Sequence, residues 1–499
     1  MSARKTILTI VLSGSATIAW ATTPVVVVQS PANGASAGSP VNFVASASSS
    51  ACSKGIAAMR IYTAPGVNAY TINANKLNTN INLPLGSYST VVQAWDNCGG
   101  VGKTTVTINV SKINLAPPRF LYATEYQAGR IAEYVVNPLT GALTPTSQGS
   151  TWGHWGPVDI ASDVGGYRLY VVNFGSHDLD AYFIDRSTGN LTQVPGSPFA
   201  LTGIGSRVVV HPSGHYVYAT SSSSSSNTAI SAFAVQSNGS LTPVPGSPFA
   251  EGSGTTGALA MDPAGKYLFA AAVRGSVGAV AAYSINSYNG ALTPVPGSPF
   301  PTPSYAGCQQ FCYEEPNDLQ VDPTGSYLYG AQGAQQALDG FKIDRSTGSL
   351  TDLPGSPYAE GTYNTPTNCC AKDPTKISVD PNGKFIHVAD DEGDDFSIFK
   401  LNETTGIPTF EASIGNVSNA FLPGLCVPYT VNVDPSGSFL YSEGITSSGC
   451  SFPPGTTDAM IGYSINQGNG YLLSVPGSPF PNPNAHSTTV SEEKVLVTR

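Results

Sequence analysis

The sequence predicts an all-β protein in two parts, a small β-sandwich followed by a seven-bladed β-propeller. Three observations predict it. Charged residues are only 11% of the 499, where about a quarter is usual. The chain carries 53 Gly, 39 Pro and 24 Tyr, a mixture of turn formers and strand formers that suits many short strands. A hexapeptide, Val-Pro-Gly-Ser-Pro-Phe, recurs from residue 194 onward.

The first 21 residues read as a targeting segment. Arg4 and Lys5 precede the apolar run Thr6–Leu12, and Ala19-Trp20-Ala21 forms a cleavage pattern. Export from the cell is therefore expected, to a secreted, periplasmic or cell-surface location. Eight cysteines fit an oxidising compartment. They are Cys52, Cys98, Cys308, Cys312, Cys369, Cys370, Cys426 and Cys450, all expected in disulfides. No metal-ligand spacing is seen among them, and no metal site is expected. The net charge of −10 argues against a nucleic-acid partner. No apolar run of about 20 residues follows the leader, so no membrane span is expected.

Residues 22–112 read as the sandwich. Val25–Val28, Val41–Val44, Met59–Tyr62, Tyr88–Trp95 and Val106–Val110 are strand-like, and about seven strands with a core Trp suit such a fold. Ser30-Pro31-Ala32-Asn33-Gly34 with Ala94-Trp95-Asp96-Asn97 resembles bacterial immunoglobulin-like modules. Cys52 and Cys98 follow two predicted strands and are expected to pair. Residues 113–118, rich in Pro, read as a linker.

Residues 119–499 hold the repeats. The hexapeptide stands at Val194–Phe199, Val244–Phe249, Val295–Phe300 and Val475–Phe480, with a variant at Leu353–Tyr358 and a degenerate copy expected near Glu411-Ala412-Ser413. Seven turns of the Thr/Asn-Gly kind, at Gly141, Gly189, Gly239, Gly290, Gly348, Gly406 and Gly470, give about 54 residues a unit. A second turn family includes Asp262-Pro263-Ala264-Gly265 and Asp322-Pro323-Thr324-Gly325. Each unit is then four strands, and seven units make a propeller. The chain enters on the strand Arg119–Ala123, so a C-terminal strand is expected to complete the first blade from inside, with Val495–Val497 either that inner strand or an extra second strand.

The run Leu169–Gly175, then Asp180–Asp185, then Thr188–Thr192, resembles the seven-bladed lactonase family. That family includes propeller-type 6-phosphogluconolactonases and fungal muconate-lactonising enzymes. The resemblance covers all seven repeats. It implies hydrolysis of a sugar-derived or other small lactone without a cofactor, by His, Arg and acidic side chains at one mouth of the channel. The sequence departs from the family's Pro-His and Asp-Leu-Gly patterns, having Gly205–Pro212 and a six-Ser run in their places.

Functional residues would come from the starts of inner strands and the ends of second strands, which share one face. Those positions hold Glu125, His154, Arg207, Arg274, Asp318, Lys376, Asp390, Glu443 and His486. His486 is the nearest match to the family His. With Arg207 or Arg274 for the developing negative charge, and Glu125 or Glu443 as acid or base, a lactone hydrolase can be assembled. Trp152, His154, Trp155 and Asn173 are the expected substrate contacts. The acidic run Asp390–Asp395 lacks calcium-loop spacing. Among the propeller cysteines, Cys426–Cys450 is the expected pair, with Cys308/Cys312 crossing to Cys369/Cys370. The rival reading is a non-catalytic extracellular or envelope propeller that binds glycans or proteins, including cell-envelope components.

Overall fold

The computed structural model describes residues 23–499, except 82, 84–85, 114–116, 225–226, 253–256, 275–276, 304–314, 334–335, 361–373, 391–394, 416–427, 429, 446–457 and 482–493. The expected leader, His486 and the six cysteines from Cys308 to Cys450 lie outside the described residues. Two compact units are present: residues up to 35, 42–81 and 87–109 in one, and 36–41, 82–86 and 110–499 in the other.

The smaller unit is built on two antiparallel sheets. One orders Val25–Ser30, Val41–Ser48 and Lys76–Ile81, and the other orders Ala35–Ser39, Val101–Ile113, Gly86–Asp96, Ile56–Ala64 and Val67–Ile72. Alternation along Val41–Ser48 and Gly86–Asp96 turns every second residue inward. Phe43, Met59, Ile61, Val92 and Ala94 are fully buried by it. The same alternation corrects one expectation. Trp95 points away from that core and is half-buried, with the Arg60 guanidinium 5.2 Å from its ring. Cys52 and Cys98 are disulfide-bonded, as expected.

The larger unit is a ring of seven antiparallel sheets. Inner strands of blades 2 to 7 are Pro157–Ser162, Ile204–Val210, Leu259–Met261, Asp318–Val321, Pro374–Val379 and Asn432–Val433. Blade 1 takes its second, third and outer strands from Phe120–Glu125, Arg130–Val136 and Leu143–Trp152, and its inner strand from Val495–Val497. The closing register sets Val495 opposite Ala123 and Val497 opposite Leu121. Each inner strand packs on the next, the last on the first. The fold is thus the expected propeller, and the final strand is an inner strand.

The repeat residues do identifiable work. Each turn glycine between third and outer strands has positive φ, from 69° at Gly406 to 85° at Gly239, which excludes most side chains. A Cβ there would also strike an aromatic of the preceding blade: Phe120 at Gly189, Tyr216 at Gly290 and Phe385 at Gly470. The Ser of each hexapeptide accepts a backbone N–H from the third strand, as Ser197 does from Ala181 at 3.0 Å and Ser298 from Ala282 at 2.8 Å. Five blades with the tag have a divided outer strand, Leu191–Gln193 and Phe199–Ala200 being one example. Blades 1 and 6, without it, have continuous outer strands, Leu143–Trp152 and Pro408–Gly415.

In four blades a tyrosine of the second strand pins the blade to the next. The hydroxyls of Tyr122, Tyr218, Tyr329 and Tyr441 donate to the carbonyls of Gly189, Gly290, Gly406 and Gly141, at 2.6–2.9 Å. In blade 6 the equivalent residue is His387, whose Nε2 lies 2.9 Å from the Gly470 carbonyl. Burial pushes the His387 pKa down to about 4, against an opposing contribution from that carbonyl. The folded imidazole is therefore neutral where an unfolded one, at about 6.5, begins to charge. Stability from this pin is full above about pH 6.5 and is lost as the pH falls toward 4. Buried His211, also at about 4 for the same reason, adds to the trend. Denaturant midpoints should drop between pH 7 and pH 4.5, and His387→Phe, matching Phe269 of blade 4, should make that drop shallower. An unchanged slope in the variant would refute the assignment.

Candidate functional site

Register places the candidates on one face. Pro157 pairs with Asn173, Asp318 with Ala331 and Pro374 with Asp390, so starts of inner strands meet ends of second strands. Two groups of polar side chains form there.

The first lines the inner strands. Lys494, just before the closing strand, holds its Nζ 3.1 Å from Asp159 Oδ1. Asp159 Oδ2 accepts the Val208 amide of the next blade at 2.6 Å. Asp318 Oδ2 likewise accepts the Ile377 amide at 3.1 Å. Arg207 donates to the carbonyls of Ser206 and Asn317, at 2.9 and 3.5 Å. Burial works to lower the Lys494 pKa, but the charges of Asp159 and Asp318 outweigh it, against a smaller opposition from Arg207, and the group stays above its ordinary value. Thus Arg207 and Asp318 come together with two residues, Lys494 and Asp159, that sequence reasoning missed. Lys376 is buried in its inner strand. These carboxylates are already engaged in stitching inner strands together.

The other expected residues scatter. Glu125 and Glu443 are buried in second strands of blades 1 and 7. Arg274 is exposed at the end of Tyr267–Arg274 and donates to the Pro299 carbonyl at 3.3 Å. Asp390 is buried and accepts the Ser397 hydroxyl at 2.8 Å.

The second group centres on His154, between blades 1 and 2. Its Nδ1 lies 2.7 Å from Asp178 Oδ2, and its backbone N–H donates to Asp180 Oδ2 at 3.1 Å. Asn173, wholly buried, spans the two carboxylates, its Nδ2 donating to Asp178 Oδ1 at 2.8 Å and Asp180 Oδ2 at 2.9 Å. Ser176 holds Asp178, while Gln193 and Ser197 hold Asp180. The His154 side chain keeps 40% of its surface exposed. Burial pulls the His154 pKa down, but the bond to Asp178 and the charges of Asp180 and Asp178 prevail and hold it above 6.5. A ring fixed at one nitrogen by a carboxylate and open at the other is a competent general base. The donor atoms of His154, Asp178 and Asp180 lie within 4.8 Å of one another, a set able to hold a metal ion.

Aromatic side chains surround this pair. Trp152 and Trp155 are 68% and 62% exposed and Phe174 40%. Tyr126 packs between Trp155 and Phe174, at 6.4 and 6.2 Å between ring centroids. Arg130 lies 3.6 Å over the Trp152 ring. Of the expected substrate contacts, Trp155, His154 and Asn173 are thus brought to one place, with Trp152 beside them. Asp178 and Asp180 were missed, although an aspartate two residues before another, at the start of a strand facing Asn173, was a readable signal.

The molecule so far described is an all-β, seven-bladed propeller. The family model described as "Lactonase, 7-bladed beta-propeller" matches residues 90–201, a segment that includes His154, Asn173, Asp178 and Asp180. No curated protein matches the chain. Among solved structures, a candidate 6-phosphogluconolactonase from Bacteroides uniformis is similar over 77% of this chain and 100% of its own, with 18% identity and a TM-score of 0.57. One from Bacteroides fragilis is similar over 77% and 98%, with 18% identity and a TM-score of 0.57. A Lactobacillus plantarum protein covers 77% and 100%, at 17% identity and 0.54. At these identities the likeness is one of fold.

Proposed function

We propose that the protein is an exported member of the seven-bladed lactonase family and hydrolyses a small lactone. The observation that carries this is the His154–Asp178 pair, 2.7 Å apart, within the segment that the family model matches. Asp178 accepts Nδ1–H, which fixes the tautomer and leaves Nε2 to take a proton from water. The water oxygen bonds to the lactone carbonyl carbon. The ring C–O bond then breaks, its electron pair stays on the ring oxygen, and the proton held by His154 is delivered there. One water enters and one hydroxy acid leaves. The chemistry asks for no cofactor.

The second reading, glycan or protein binding without turnover, is favoured by the exposed Trp152 and Trp155. One experiment separates them. Hydrolysis of a panel of γ- and δ-lactones is followed with the purified protein lacking residues 1–21, against spontaneous opening. Turnover above background that His154→Gln removes supports the hydrolase. A rate equal to background across the panel overturns it and leaves the binding protein. The immunoglobulin-like reading of the smaller unit, as a surface-presentation module, belongs to either case.

A further inference from the structure

The Trp155 ring is held as a platform. One face lies on Gly175, where an added Cβ would stand 2.3 Å from the indole. The Tyr126 ring lies tilted beside it, 6.4 Å between centroids. The Trp155 carbonyl accepts the Ser176 amide at 3.1 Å, and the Gly156 carbonyl accepts the Phe174 amide at 2.7 Å. The indole nonetheless keeps 62% of its surface exposed. A large apolar surface left wet, but fixed from below, is what the C–H face of a sugar ring stacks upon.

The polar groups beside this platform are chiefly acceptors. The Asp178 side chain is 13% exposed next to His154. Donors that reach Asp178 and Asp180 include the neutral groups of Asn173, Ser176, Gln193 and Ser197, the His154 backbone, and the His154 ring. Carboxylates accept hydroxyl protons and repel a phosphate dianion. Arg130, on the Trp152 side, has its guanidinium laid on that ring.

We infer that the surface at His154 takes an uncharged polyhydroxy lactone ring, stacked on Trp155, and selects against its phosphorylated form. This rests on the reading of that site as the lactone site. It would set the protein apart in substrate from the candidate 6-phosphogluconolactonases that share its fold. A reaction that oxidises a free, unphosphorylated aldose would supply such a substrate.

The test reads binding without turnover. Calorimetric titration with gluconolactam, a stable mimic of the neutral lactone, is compared with titration by its 6-phosphate. The neutral lactam should bind at least about 10-fold tighter. Trp155→Ala should weaken the lactam at least about 10-fold. Gly175→Ala, which displaces the indole without touching the carboxylates, should do the same. Equal or tighter binding of the phosphate overturns the inference, and so does lactam affinity unchanged in the folded Trp155→Ala protein. Lactam binding without any hydrolysis would defeat the catalytic reading alone. Hydrolysis without lactam binding would defeat this inference alone.

Discussion

Deleting residues 494–499 is expected to open the ring, with a loss on the order of 5 kcal/mol or more. Val495 and Val497 are 1% and 5% exposed, and each such side chain contributes about 1.5–3 kcal/mol by burial. Their removal also uncovers Leu121 and Ala123 opposite them. Backbone bonds from Arg119 to Thr498, Thr498 to Phe120 and Thr124 to Lys494 go too. Asp159, 1% exposed, loses its cation. A buried carboxylate stripped of its partner is a costly remainder. A fall in melting temperature of roughly 10 °C or more follows, or failure to accumulate as a monomer, because Phe120–Glu125 becomes an unpaired edge. The point variant Lys494→Met should cost less, since its side chain is 29% exposed and screened accordingly. A truncated protein that melts with the full-length one would show that the closing strand is dispensable.

That the chain's end closes blade 1 was readable in advance because strand counts are global arithmetic. Seven turn glycines and an entry on a second strand leave the C-terminal end to complete blade 1. Whether Val495–Val497 was the inner strand or an extra second strand was not readable. The inter-blade pins were not read from the sequence, although four of them are a tyrosine recurring at 122, 218, 329 and 441. Trp95 was not readable, because an aromatic at the end of an alternating strand falls inside or outside with a shift of one residue. The site was half legible. A face can be deduced from strand direction, and His154, Trp155 and Asn173 lie together on it. Their convergence depends on loop paths between blades 1 and 2, which no periodicity encodes. Charge type misled in the channel. Asp318 has the chemistry of a catalytic acid, but its carboxylate accepts an amide of the next inner strand. Asp159 does the same for Val208, and such needs are visible only once two strands are side by side.

His154→Ala is expected to lower kcat for lactone opening by about 10²–10⁴-fold, the range of general-base catalysis, with little loss of stability. The side chain is 40% exposed, and its removal creates no cavity in a packed core. The pH profile gives the sharper test. A base must be neutral to act, and the bond to Asp178 holds the His154 pKa above 6.5. Activity should therefore fall on the acid side through a limb centred above pH 6.5. Asp178→Asn removes the acceptor that raises this pKa and that fixes the ring. Its limb should move to lower pH, while its rate at the alkaline plateau drops because the imidazole is no longer held. A merely structural aspartate would lower the rate at every pH and leave the limb where it was. If the limb stays put in Asp178→Asn while turnover persists, the base lies elsewhere on the mouth, and Lys494 with Asp159 is the group to vary next.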